Sequence, residues 1–206
     1  MLSAVSCLKT EEILFQDTTM GFVLADGRFD ADDGLIFTFP LGTGAGDQWV
    51  AGTRFLITCN AKKQVSGSTT EFEADMVNLV KPMYHDALYK SKVTDWDKVG
   101  NDEVDVQTAW ISANSGYLNM RNCVHYSGSA DLTHTFDLIY DDSRVSDDTV
   151  FLELRHNADG DEGEELGYLY TSFPIREFIP SGSSEVKVVL SWSWAGAQSQ
   201  TITITR

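Results

Sequence analysis

Apolar and polar residues alternate along most of this chain with a period of two rather than 3.6. Met20, Phe22 and Leu24 alternate with Gly21, Val23 and Ala25, and Phe55, Ile57 and Cys59 alternate with Arg54, Leu56 and Thr58. Val104, Val106, Thr108 and Trp110 share one face, opposite Asp105 and Gln107. The longest run sets Val186, Val188, Leu190, Trp192 and Trp194 against Glu185, Lys187, Val189, Ser191 and Ser193. Such runs predict half-buried antiparallel strands. Turn formers punctuate them at Asp26-Gly27, Gly42 to Asp47, Ser66 to Ser68, Asp141 to Ser143, Asn157 to Gly163, Ser181 to Ser184 and Ala195-Gly196. Helix is scarce, the best candidate being a short piece from about Asp86 to Lys90.

Along Glu71 to Val80 the alternation slips phase. Phe72, Ala74 and Met76 share a face, and Val77 and Leu79 continue on the other. A bulge or bend produces such a slip, and small closed barrels need one. Between His85 and Asp102 the apolar period fades and charges crowd in, which places a domain boundary there. The reading is all-β: a terminal tether at 1–12, an OB-like small barrel at 13–91 and an antiparallel β-sandwich at 102–206. Val104, Val106, Trp110, Leu118, Met120, Leu152, Leu154, Val188 and Leu190 are the expected core of the second domain.

Composition narrows the function classes. The chain has 206 residues, a hydrophobic content of 42% and a formal net charge of −16. That apolar content suffices for packed cores and excludes wholesale disorder. Only 15 Lys and Arg are present, scattered along the chain, so no basic stripe exists for a nucleic-acid backbone or an anionic leaflet. No stretch approaches 18 consecutive apolar residues, so no spanning helix is expected.

Membrane attachment has another route. Cys7 follows Ala4-Val5-Ser6, a run of small or branched residues ending in Cys that resembles the lipobox of bacterial lipoproteins. Diacylation of that thiol would anchor the protein, since two chains hold where one is marginal. Met1-Leu2-Ser3 is too short for a complete signal, and Lys9 to Glu12 suits a solvated tether. The remaining cysteines, Cys59 and Cys123, are either paired or buried and free; spacing does not decide.

Several segments of the C-terminal half carry a family resemblance. Ala109-Trp110-Ile111, Gly116 to Met120, Phe151 to Asp161 and Ser172 to Ile175 resemble the NigD-like family of exported bacterial lipoproteins. The resemblance implies an N-terminal OB-like domain before a C-terminal β-sandwich, a cell-envelope address on the outer membrane or cell surface, and a link to bacteriocin operons. It implies no reaction.

Candidate chemistry is sparse. Asn157, Asp159 and Asp161 could offer oxygen ligands to Ca²⁺, but the sixth position of an EF-hand count lacks glycine and the twelfth is Tyr168. A solvated hairpin turn between two paired strands, Val150 to His156 and Leu166 to Phe173, is the preferred reading. Gly42 to Gly46 lacks the Lys-Ser/Thr of a phosphate loop. Cys123, His125 and His134 could approach one another, but a structural zinc wants a fourth ligand. No Gly-x-Ser-x-Gly elbow occurs, and Ser127 is turn material. Trp192 with Trp194, and Tyr168 with Tyr170, each share a strand face and could stack on sugars, although a sandwich core needs the same bulk. The expectation is a lipid-anchored envelope protein that binds a protein or glycan partner, without catalysis, metal or cofactor. A carbohydrate-binding module and an envelope hydrolase are the alternatives.

Overall fold

The computed structural model describes residues 12–40, 46–112, 114–129 and 133–205. Cys7 and the tether up to residue 11 lie outside them. The chain divides into two compact units, 1–81 and 82–206.

The first unit is a closed five-stranded barrel of β1 (Phe15–Val23), β2 (Phe29–Ala31), β3 (Ile36–Thr38), β4 (Arg54–Gln64) and β5 (Glu71–Val80), in the order β1-β2-β3-β5-β4. All neighbours are antiparallel except β3 and β5. Phe29, Phe37, Phe55, Ile57, Cys59 and Ala61 are wholly buried inside it. The Trp49 indole stacks between Phe29 and Phe55, with ring centroids 5.8 and 5.5 Å away. The expected phase slip is a bulge: Thr58 pairs with Asn78 and Cys59 with Met76, leaving Val77 unpaired and exposed. Gly21 permits the tight curvature, because a Cβ there would lie 2.3 Å from the Asp30 carbonyl. Buried Arg54 is held by a bidentate ion pair with Asp32 and sits 4.7 Å from the Phe22 ring centroid.

The second unit is a sandwich. One sheet runs β14-β13-β11-β10-β7 and the other β6-β12-β9-β8. The strands are β6 (Met83–Tyr84), β7 (Leu88–Tyr89), β8 (Asp105–Ser112), β9 (Tyr117–Tyr126), β10 (Thr135–Tyr140), β11 (Thr149–Asn157), β12 (Glu165–Pro174), β13 (Glu185–Ser193) and β14 (Ala197–Thr205). Leu118, Met120, Phe136, Leu138, Phe173, Val186, Val188 and Leu190 close the core between them.

Four expectations need correction. The join falls at Lys81/Pro82 instead of within 92–101, because β6 and β7 extend the two sandwich sheets. The segment Asp86 to Lys90 is not helical: β7 pairs in parallel with β10, and the single α-helical turn among the described residues is α1 (Trp96–Val99), capped by the Asp95 side chain. The sandwich is mixed, since β7/β10, β6/β12 and β11/β13 are parallel pairs. Finally, Trp110 is half-buried on the outer face. A bulge between Val106 and Thr108 reverses the phase of β8, so that Ala109 and Ile111 pack on the core instead. The other eight expected core residues are buried.

Candidate functional site

Two histidines and a carboxylate of the sandwich converge where β11 ends. Inward alternation along β11 carries Leu152, Leu154 and then His156 into the core. His156 lies directly opposite Phe136 on β10, with ring centroids 4.7 Å apart. Its Nδ1 is 2.9 Å from the Glu103 carbonyl oxygen, and its Nε2 is 2.9 Å from Nδ1 of His134. Nε2 of His134 reaches Asp161 Oδ2 at 3.2 Å. The same oxygen accepts the backbone N–H and the hydroxyl of Ser127, both at 3.0 Å, while Oδ1 accepts the Gly163 N–H at 2.8 Å.

These bonds fix the protons. A carbonyl oxygen can only accept, so His156 donates from Nδ1 and must accept at Nε2. His134 therefore donates from Nδ1, with its Nε2 turned to the Asp161 carboxylate. Burial lowers the His156 pKa to about 4. Asp161 is held well below the usual carboxylate range, chiefly by the Ser127 backbone N–H and also by Gly163, His134 and the Ser127 hydroxyl. The chain of bonds thus runs from the Glu103 carbonyl through a neutral His156 to His134 and the Asp161 carboxylate.

The arrangement resembles a catalytic triad in its residue types but not in its order. The carboxylate stands between the hydroxyl and the imidazole, so the Ser127 oxygen meets Asp161 and neither imidazole. The Asp161 carboxylate is only 2% exposed. The cluster forms a mechanical tie. It ties β10 and β11 of one sheet to the segment that crosses to β12 of the other and to the end of β9. The crossing is close: a Cβ on Gly163 would lie 2.1 Å from the Ser127 nitrogen.

The sequence reading placed Asn157 to Glu165 in a hairpin between paired strands. Instead β11 pairs with β10 and β13, β12 pairs with β9 and β6, and the segment passes between sheets. Asp159, Glu162, Glu164 and Glu165 are exposed as expected, whereas Asp161 turns inward. The Asn157 side chain donates to the carbonyls of Asp97 and Lys98 and accepts from the Asp159 N–H. Among the described residues no group of three His, Cys, Asp or Glu could hold a metal ion. Cys123 and His125 do share the outer face of β9, but His125 stacks on Trp194 at 5.2 Å and His134 is committed to His156. Both Cys59 and Cys123 are buried and free, in different units, and burial pushes the Cys59 thiol up to about 12.

The four aromatics singled out as stacking residues do not form one platform. Trp192 packs at the margin of the sandwich core with its indole N–H buried and no acceptor in reach among the described residues. Trp194 covers His125. Tyr168 and Tyr170 lie on the outer face of β12, opposite Cys123 and Arg121 of β9. Tyr168 is 54% exposed, and the Arg121 guanidinium sits 4.8 Å from its ring centroid. The registers place Tyr84, Trp110 and Tyr117 on this same outer face, so the sheet bears an aromatic strip. Beneath it Ser172 donates to Asn119, which donates to Ser112, forming a buried polar row.

The His134–His156 contact escaped the sequence reading, which offered His125 as the partner of His134. The signal was present, because two alternating runs flank Asp141-Asp142-Ser143, and pairing them as a hairpin sets Phe136 opposite His156. Nothing local announced that Asp161 would leave an acidic turn for the interior.

Several solved structures share this architecture. A candidate toxin-related protein from Parabacteroides distasonis superposes with a TM-score of 0.71 at 20% identity, over 93% of this chain and 94% of that one. A NigD-like immunity protein from Bacteroides caccae gives 0.64 at 18% identity, over 93% and 96%. A candidate lipoprotein from Bacteroides fragilis gives 0.63 at 12%, over 93% and 98%. At these identities the likeness is one of fold. No curated protein matches the chain. The family profile of the NigD-like C-terminal beta sandwich domain matches residues 87–206, which is more than half of the chain, the sandwich unit almost to its boundaries. The chain belongs to the NigD-like family.

Proposed function

We propose that this protein is a lipid-anchored component of the bacterial cell envelope that acts by binding a partner and carries out no chemistry. The observation that carries the reading is the Asp161–His134–His156 chain. Among the described residues, the place where two histidines meet a carboxylate is buried, hydrogen-bonded within itself and joins the two sheets. The anchor rests on Cys7 and its lipobox-like approach, with the B. fragilis neighbour in support. A protein partner agrees with the name of the B. caccae immunity protein. Metabolic labelling with a palmitate analogue and detergent partition test the anchor: Cys7→Ala should lose the label and move to the soluble fraction, and label retained by Cys7→Ala overturns it. A panel of chromogenic glycosidase, esterase and peptidase substrates tests the rest. Turnover that disappears in His134→Ala would make the cluster catalytic.

A second reading, carbohydrate binding, is favoured by the aromatic strip around Tyr168 and Tyr170. Outward rings on a rigid sheet can stack on sugar rings without prior ordering. Cell-envelope polysaccharide titrated against intrinsic fluorescence should give a saturable change that Tyr168→Ala weakens. The absence of any change at millimolar sugar removes this reading.

A further inference from the structure

The sandwich has four sheet edges, and three of them are blunted in the ways that keep open strands from pairing. Strands β6 and β7 are two residues long. Strand β8 opens with Asp105 and is broken by the bulge between Val106 and Thr108. The fourth edge, β14, has no such protection. It runs nine residues, Ala197–Thr205, with unbroken register against β13, and contains no charge, no proline and no bulge. Among the described residues no strand pairs with its outer side. Ala197 to Thr201, Thr203 and Thr205 are exposed, while Ile202 and Ile204 are partly buried against the core.

We infer that β14 pairs with β14 of a second copy of this chain, antiparallel and about a two-fold axis at Thr201, joining two five-stranded sheets into one of ten. Charge is the first reason. In a chain of net charge −16, nine consecutive neutral residues at an open edge are where two copies can meet without opposing like charges. Self-complementarity is the second. Antiparallel overlap of the whole strand sets Thr201 against Thr201, Ser199 against Thr203 and Ala197 against Thr205 on the outer face, so hydroxyls meet hydroxyls. On the core face Gln200 meets Ile202 and Gln198 meets Ile204, and each glutamine stem extends the cover over a half-buried isoleucine. Main-chain hydrogen bonds supply the attraction, and the two-fold arrangement closes at two copies.

Sedimentation velocity across a concentration series of the full chain, with Cys7→Ser to remove that thiol, should show a species of twice the chain mass. Thr201→Lys sets two ammonium groups face to face on the axis and should raise the dimer dissociation constant at least tenfold, with the melting temperature of the monomer unchanged. Thr201→Cys tests the register. Directly opposed residues of antiparallel strands lie about 4.5–5.5 Å apart at Cα, within reach of a disulfide. Mild oxidation should therefore link Thr201→Cys to itself. Ser199→Cys should link to Thr203→Cys in a mixture and not to itself. A mass that stays monomeric at 100 µM, or a dimer indifferent to Thr201→Lys, overturns the inference. Linkage of Thr201→Cys to a residue outside β14, the N-terminal segment included, assigns the edge to another strand and overturns it equally.

Discussion

Nδ1 of His134 and Nε2 of His156 stand 2.9 Å apart with their rings nearly parallel, so one imidazole must donate to the other. The Glu103 carbonyl makes His156 the acceptor, and the far nitrogen of His134 faces Asp161. The His134–Asp161 contact thus closes the seam between the two sheets, while the His156 imidazole beneath it stays neutral.

That neutrality makes the fold acid-sensitive. The folded state holds His156 down to about 4 from the ordinary 6.5, so over that interval the unfolded chain binds more protons than the folded one. Stability is therefore complete above about 6.5 and declines as the pH falls toward 4, by roughly 3 kcal/mol from this residue. Thermal melts at pH 7, 5.5 and 4.5 should show the decline. In His156→Phe the slope between pH 6.5 and 4 should flatten, and an unchanged slope would assign the acid sensitivity elsewhere.

Asp161→Asn removes the anion facing His134 and places an amide N–H₂ among donors. The melting temperature should fall, and hydrogen exchange of residues 157–165 should speed up more than that of β13. Because Asp161 is engaged by Ser127, Gly163 and His134, millimolar Ca²⁺ should leave the melt of the native protein unchanged.

The bulge in β8 leaves Trp110 outside the core to which Leu154 of β11 belongs. Leu154→Ala empties a site in the sandwich core and should cost about 2–5 kcal/mol in denaturant unfolding. Trp110→Ala, although it removes a larger side chain, acts on the half-buried outer face and should cost less than Leu154→Ala. The reverse order would contradict the placement of Trp110.

Asn122 projects into the core from β9, donates to the Thr171 hydroxyl at 2.9 Å, and has its own Oδ1 buried without a donor among the described residues. Asn122→Ala alone strands the Thr171 hydroxyl and should cost about 1–3 kcal/mol. Replacing both, Asn122→Leu with Thr171→Val, removes every unpaired polar atom and should recover most of that loss. A double-mutant cycle in urea measures the difference.

The period of two determined that this is a β protein, and it located most of the strands, because alternate residues of a half-buried strand must differ in polarity whatever the strand pairs with. It also located the bulge at Val77, since an extra residue in a strand leaves a phase slip in the sequence itself. The β8 bulge left a weaker trace, because Thr108 and Trp110 suit either face. Family membership was legible too, carried by segments from Ala109 to Ile175, and with it the two-part architecture. Partnership between strands was not legible. The periods of β11 and β12 are the same whether they pair with each other or with strands of opposite sheets, and only the tertiary structure sends the segment from Asn157 to Glu165 across the sandwich. Two-residue strands such as β6 and β7 are too short to show a period at all. The fate of Asp161 followed from the same cause. Its inward turn depends on Ser127 and His134, 34 and 27 residues away in sequence, and composition reports the charge of a loop without reporting which carboxylate the fold will need.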